Sequence, residues 1–167
     1  MNAMDAELYA LAGKVGDALK ARKLMLATAE SCTGGWVGQA VTMVPGSSHW
    51  FDRGFVTYTN DAKHEMLGVR ATTLKKFGAV SEQSVREMIE GTLSRSKAHV
   101  ALAVSGIAGP DGGSPGKPVG TVCLAWGKKK GAPPHSVMRH YAGDRDAVRR
   151  QAVIDALEGV LALLEET

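Results

Sequence analysis

Two cysteines, Cys32 and Cys123, stand in a chain of 167 residues, too few for a disulfide framework. Aromatic residues are scarce at 5%, and the formal net charge is only +3. A surface that stacks bases and tracks phosphates needs more of both, so no nucleic-acid partner is expected. No apolar run approaches the ~18 residues that a membrane span requires. The histidines, His49, His64, His99, His135 and His140, show neither His-Glu-x-x-His nor Cys-x-x-Cys partner spacing, so no metal site is expected. The opening residues Met1–Glu7 lack a basic head followed by an apolar run; no leader is expected, and cytoplasm is the default location. The basic run Lys128–Lys130 precedes Gly131 between two strand-like segments and reads as a solvated hairpin turn.

What is present is ordinary for a soluble globular chain: 44% hydrophobic and 22% charged residues. The length suits one domain over residues 1–167. Helical and strand patterns alternate, which predicts an α/β fold of three layers, α/β/α, around a central, mostly parallel or mixed sheet. Leu8, Leu11, Val15 and Leu19 share a face of a first helix over Asp5–Arg22. Strands are expected at Leu24–Ala29, Trp50–Tyr58, His99–Val104, Val119–Trp126 and His135–Tyr141. Helices are expected at Thr33–Val44, at Ala62–Leu67, and from an N-cap at Ser81 to Arg95. A closing helix after Asp144 carries Val148, Ala152, Ala156, Val160 and Leu164 on one stripe. The two amphipathic terminal helices suggest an interface, and a homo-oligomer is expected.

Three segments carry candidate chemistry. In Thr28-Ala29-Glu30-Ser31-Cys32-Thr33-Gly34-Gly35, a short apolar strand ends in a turn holding a hydroxyl, a thiol and a carboxylate at the start of a helix. Such a turn suits a nucleophile, because helix N-terminal N–H groups and the dipole favour negative charge there. Ser31 and Cys32 compete for the role; a thiol beside a helix N-terminus can have a depressed pKa. The second segment, Tyr58-Thr59-Asn60-Asp61-Ala62-Lys63, lies at another strand end. A lysine in the first helical turn sits against the dipole, and a neutral Lys63 can take a proton from Ser31 directly or through the Tyr58 phenol. Spacing alone favours the plainer reading, a strand-end aromatic and a solvated lysine. The third segment, Ser105 to Lys117, follows a strand and is rich in glycine. Backbone N–H groups in such a loop can approach a phosphate, although the loop matches neither a Walker A nor a G-x-G-x-x-G pattern. A tight structural loop explains it as well.

Taken together, these motifs resemble the CinA C-terminal domain family. The resemblance rests on Thr-Ala-Glu-Ser31-Cys-Thr-Gly-Gly, Tyr58-Thr-Asn-x-x-Lys63, Leu67-Gly-Val, Gly78-Ala-Val-Ser81 and Ser105-Gly-Ile-Ala-Gly-Pro-x-Gly-Gly. Pro118-Val-Gly-Thr-Val and Gly143-Asp-Arg145 through Arg149 add to it, and the motifs extend from about Leu8 to Leu164. Longer members carry an additional N-terminal domain, which this chain is expected to lack. The resemblance implies a nicotinamide-nucleotide amidohydrolase, which converts nicotinamide mononucleotide and water to nicotinate mononucleotide and ammonia in pyridine nucleotide salvage. It implies Ser31 as nucleophile, Tyr58 and Lys63 as proton-transfer partners, and Glu30, Thr33 and Gly34 as orienting or binding residues. Ser105, the loop amides through Gly106, Ala108, Gly109, Gly112 and Gly113, and the Arg145 guanidinium would hold the phosphate. No metal or organic cofactor is implied. A catalytically silent nucleotide- or partner-binding domain is the alternative reading.

Overall fold

The structure is a computed structural model describing residues 5–166. Met1–Met4, on which much of the leader reading falls, and Thr167 lie outside the described residues. Five strands form one sheet: β1 (Leu26–Glu30), β2 (Phe51–Val56), β3 (Val100–Gly106), β4 (Thr121–Lys128) and β5 (His135–His140). Their order is β2-β1-β3-β4-β5. β1 runs parallel to β2 and to β3, whereas β4 and β5 are antiparallel additions. Six α-helices accompany them: α1 (Ala6–Ala21), α2 (Trp36–Thr42), α3 (Asn60–Leu67), α4 (Ala71–Phe77), α5 (Glu82–Ser94) and α6 (Arg145–Glu165). The expected α/β class with a mixed sheet is what the chain adopts. No described helix is long and apolar enough to cross a membrane.

Side-chain size assigns the helices to the two sheet faces. Val100, Leu102, Val104, Val122, Leu124 and Trp126 point to one side and pack with α1, α2 and α6. The alternate residues Ala29, Ala101, Ala103, Cys123 and Ala125 point to the other, under Val85, Met88 and Ile89 of α5. The period of two in a strand makes this sorting possible. Every residue of the closing stripe Val148, Ala152, Ala156, Val160 and Leu164 is buried, as the 3.6-residue period requires.

Helix α4 has no counterpart among the expected elements. Its sequence offers two threonines, and its N-cap, Arg70, makes no side-chain cap bond. The cap comes instead from α5: Glu87 accepts from the Arg70 amide (2.9 Å), the Arg70 guanidinium (3.1 Å) and the Thr73 hydroxyl (2.6 Å). Burial would raise the Glu87 pKa; these three donors outweigh it and hold the carboxyl below its ordinary value. The observed strands and helices otherwise shift by a few residues at their ends. The strand expected over Trp50–Tyr58 covers Phe51–Val56, and α2 starts at Trp36 rather than Thr33.

Helix α3 is seated through a close approach to α5. A Cβ at Gly91 would lie 1.9 Å from the carbonyl oxygen of Leu67, the last residue of α3. Backbone cannot yield to that contact, so Gly91→Ala is expected to displace α3. The gain in helix propensity of ~1 kcal/mol is outweighed by overpacking, for a net loss of about 2 kcal/mol in a urea unfolding midpoint.

The parallel register lines up three strand ends. Glu30 pairs with Val56 on one side and Val104 on the other. One residue further on, Ser31 N–H donates to the Val104 carbonyl and Thr57 N–H to the Glu30 carbonyl, each at 2.9 Å. Ser31 and Thr57, just past their strands, and Ser105, near the end of β3, therefore lie side by side at the sheet's carboxyl edge, where ligands of such sheets bind.

Candidate active site

Lys63 is the feature around which this edge is organised. It lies in α3, one turn before Leu67, and only 1% of it is exposed. Its Nζ reaches Ser31 Oγ at 3.0 Å, the Thr57 carbonyl at 3.0 Å and the Tyr58 carbonyl at 3.1 Å. No carboxylate pairs with it among the described residues. Burial lowers its pKa from the ordinary lysine value, with the Cys32 side chain a small opposing influence. The cause is desolvation of the ammonium.

The hydrogen-bond count explains why this geometry suits proton exchange. A neutral amine has two N–H donors and one lone pair. The donors match the two carbonyls, and the lone pair then faces the Ser31 hydroxyl. The ammonium form has three donors for the same three acceptors. Both protonation states are satisfied without rearrangement.

Ser31 is 7% exposed, and its Oγ also lies 3.3 Å from the Tyr58 carbonyl. Tyr58 thus enters the Ser31–Lys63 contact through its main chain. Its phenol oxygen accepts from Arg145 Nη2 at 3.2 Å, while Arg145 Nη1 donates to the Gly109 carbonyl at 2.7 Å. Of the two routes expected between Ser31 and Lys63, direct or through the phenol, the side chains are placed for the direct one, and the phenol is turned to Arg145.

Ser31, Cys32, Tyr58, Lys63, Ser105, Gly106, Ala108 and Arg145 line one cavity of about 200 Å³. Ser105 is 1% exposed, and its hydroxyl has no partner among the described residues. Asn60, Ala79 and Val80 complete the lining. Sequence reasoning did not single these out; the only signal for Ala79 and Val80 was their place in a family motif. Across Ala108 and Arg145 lies a larger groove of about 500 Å³, bounded also by Pro110, Val119, Asp144, Asp146 and Arg149.

Several expected site residues hold the scaffold around Ser31. Glu30 is 2% exposed, and both its oxygens are occupied: Thr33 Oγ1 (2.6 Å) and Val37 N–H (2.8 Å) on one, Gly38 N–H (3.0 Å) on the other. It satisfies the open amides at the start of α2, as a carboxylate there should. Thr33 is fully buried and spends its hydroxyl on Glu30. Gly34, with φ 59°, donates its N–H back to the Ser31 carbonyl at 3.0 Å, so that amide is not free for a substrate. Gly112 and Gly113 pack against Ile107 and Val119 and do not line the cavity. Gly109 contributes only the carbonyl that holds Arg145.

Cys32 fits poorly as a nucleophile. It is 5% exposed and joins the core beneath α6. Burial pushes its thiol up to about 11, although the Arg149 charge pulls the other way. Cys123 is likewise buried, with its thiol raised by burial to about 11. Among the described residues no three His, Cys, Asp or Glu side chains are grouped to hold a metal.

Known proteins share both sequence and fold with this chain. Nicotinamide-nucleotide amidohydrolase PncC of Escherichia coli K12 is 54% identical over 156 residues, covering 92% of this chain and 93% of its own length. The protein of the same name from Pseudomonas putida is 52% identical, with 92% and 94% covered. A putative competence-damage inducible protein of Symbiobacterium thermophilum is 53% identical over 152 residues, but this chain spans only 35% of its length. Among solved structures, the competence/damage inducible protein CihA from Agrobacterium tumefaciens superposes with a TM-score of 0.92 at 48% identity, covering 98% of this chain and 99% of that one. The CinA C-terminal domain profile matches residues 8–164, which takes in every strand and the whole row of Ser31, Lys63, Ser105 and Arg145, and the chain belongs to that family.

Proposed function

We propose that this protein is a nicotinamide-nucleotide amidohydrolase that hydrolyses the carboxamide of nicotinamide mononucleotide to a carboxylate and releases ammonia. Relatives that carry this name match more than nine-tenths of the chain at over half identity. The observation that carries the chemistry is the 3.0 Å contact between the buried, carboxylate-free Lys63 Nζ and Ser31 Oγ.

Neutral Lys63 takes the Ser31 proton as Oγ forms a bond to the carboxamide carbon. Collapse of the tetrahedral adduct breaks the C–N bond, and Lys63 returns its proton to the departing nitrogen as ammonia. Water then adds to the ester, losing a proton to Lys63; the C–O bond to Ser31 breaks, and the serine oxygen recovers that proton. Tyr58 holds Lys63 through its carbonyl, and its phenol steadies Arg145. This reading narrows the role expected for Tyr58 in proton transfer.

The cavity at Ser31 is below the ~300–1,000 Å³ of pockets that enclose a whole drug-sized ligand. It suits the planar carboxamide-bearing ring, with the free Ser105 hydroxyl as a partner. The ribose phosphate then crosses Arg145 into the adjoining groove. A guanidinium matches phosphate oxygens in a fork.

Ammonia release from nicotinamide mononucleotide by the purified protein tests the assignment; binding without turnover would point to the silent-domain reading. Arg145→Gln is expected to raise KM for the mononucleotide about 10–100-fold, as for loss of a charge-assisted pair of ~1.5–3 kcal/mol. The riboside, which lacks the phosphate, should change far less.

A further inference from the structure

Helix α4 is held at both ends by side chains from elsewhere in the chain. Glu87 of α5 serves its first turn. At the other end the Lys117 ammonium donates to the Phe77 carbonyl at 2.6 Å. Phe77 is the last residue of α4. Its carbonyl is therefore one of those that a helix leaves open, at the end where the dipole favours a cation. Gly78 follows at φ 81°, and a Cβ there would lie 3.4 Å from Lys117 Nζ.

This bond joins two segments that supply walls of the Ser31 cavity. Ala79 and Val80 come directly after α4, whereas Ser105, Gly106 and Ala108 come from the end of β3. The first wall is fixed to α5, because the Ser81 and Ser84 hydroxyls both donate to the Gly78 carbonyl, at 2.8 and 2.7 Å. The second continues into residues 107–120, which connect β3 to β4. At the foot of this connection the Ile107 N–H donates to the Thr121 carbonyl and the Gly120 N–H to the Ile107 carbonyl, each at 2.8 Å. Arg145 holds the Gly109 carbonyl. Farther out, the main chains of Ser114 and Lys117 bond to each other at 2.9 and 3.0 Å, and residues 111–116 are exposed. Among the described residues, only the Lys117–Phe77 hydrogen bond ties residues 110–117 to the rest of the chain.

We infer that Lys117 is a positioning residue: by tying the β3–β4 connection to the end of α4, it sets the width of the cavity that receives the carboxamide-bearing ring. The inference rests on the amidohydrolase reading above and goes beyond it by naming what fixes the fit of that ring. A wall held in place beforehand relieves the ligand of the cost of ordering it. Lys117 does not line the cavity and bonds to neither Ser31 nor Lys63, so its loss alters the fit and leaves proton exchange intact. The mononucleotide and the riboside share the ring, so both should feel the change alike.

The test compares wild type with Lys117→Met, which keeps the apolar stem without the charge, and Lys117→Arg, which keeps a donor of similar reach. KM and kcat are measured for ammonia release from the mononucleotide and from the riboside. In parallel, Ser31 is labelled with a small alkyl and a bulky aryl fluorophosphonate, a pair that gauges the opening without any nucleotide. Lys117→Met is expected to raise KM for both substrates about 3–10-fold, the range for one hydrogen bond, with kcat unchanged within about twofold. The aryl-to-alkyl labelling ratio should rise as well, and Lys117→Arg should restore both. An unchanged labelling ratio in Lys117→Met overturns the proposal. So does a rise in KM confined to the mononucleotide, which would make Lys117 a phosphate ligand, or a loss in kcat with KM unchanged. Wild type that labels but turns over neither substrate removes the substrate assignment, while the labelling ratio still decides the role of Lys117. Wild type that does neither overturns both.

Discussion

Ser31→Ala is expected to lower ammonia release by about 10⁴-fold or more, as deletion of the nucleophile does in other serine hydrolases. The fold should survive, because Ser31 Oγ is only one of three acceptors around Lys63 and the turn is fixed by main-chain bonds from the Ser31 N–H to Val104 and from the Gly34 N–H to Ser31. Substrate binding should persist, since Ser105 and Arg145 are untouched. Cys32→Ala provides the contrast. Its thiol is buried and titrates near 11, so at neutral pH it carries almost no thiolate. That variant should retain turnover within a few-fold, with only the loss of a small buried side chain. Turnover surviving in Ser31→Ala and vanishing in Cys32→Ala would reverse the assignment.

Lys63→Met is expected to lower kcat by about 10²–10⁴-fold, the usual range for a positioned general base. The pH dependence separates this from a structural effect. The base must be neutral to accept the Ser31 proton, and burial lowers its pKa from the ordinary 10.5. In wild type, kcat/KM should therefore fall tenfold per unit as pH drops below the Lys63 pKa and level off above it, with the break below 10.5. In Lys63→Met that acid limb should disappear. An unchanged limb in the variant would show that a different group titrates.

The elements that place this site were readable from the sequence where local rules apply. The strand before Ser31, the stripe on α6 and the N-cap at Ser81 follow from spacing and residue type. The Ser81 hydroxyl accepts from the amide three residues on. The row of Ser31 and Ser105 was suggested by two motifs that each end a strand. What remained hidden depended on partners distant in sequence. Helix α4 is capped by Glu87, seventeen positions after Arg70, and no local window contains both. Glu30 looked like a site residue because it adjoins Ser31, yet it turns inward to the amides of α2. Tyr58 drew notice for its phenol, whereas its carbonyl touches Lys63; a main-chain acceptor has no signature in residue type. Arg149 was visible only as one letter of a motif, because its partners are the carbonyls of Cys32 and Thr33.

Lys63 is moored to the carbonyl oxygens of residues 57 and 58, atoms that every amino acid supplies. Substitution at either position leaves the mooring in place, because it depends on no side chain of residues 57 and 58. Tyr58, half of whose surface is open, is thus a place where a lineage or a designer can retune what enters the cleft without rebuilding the chemistry behind it.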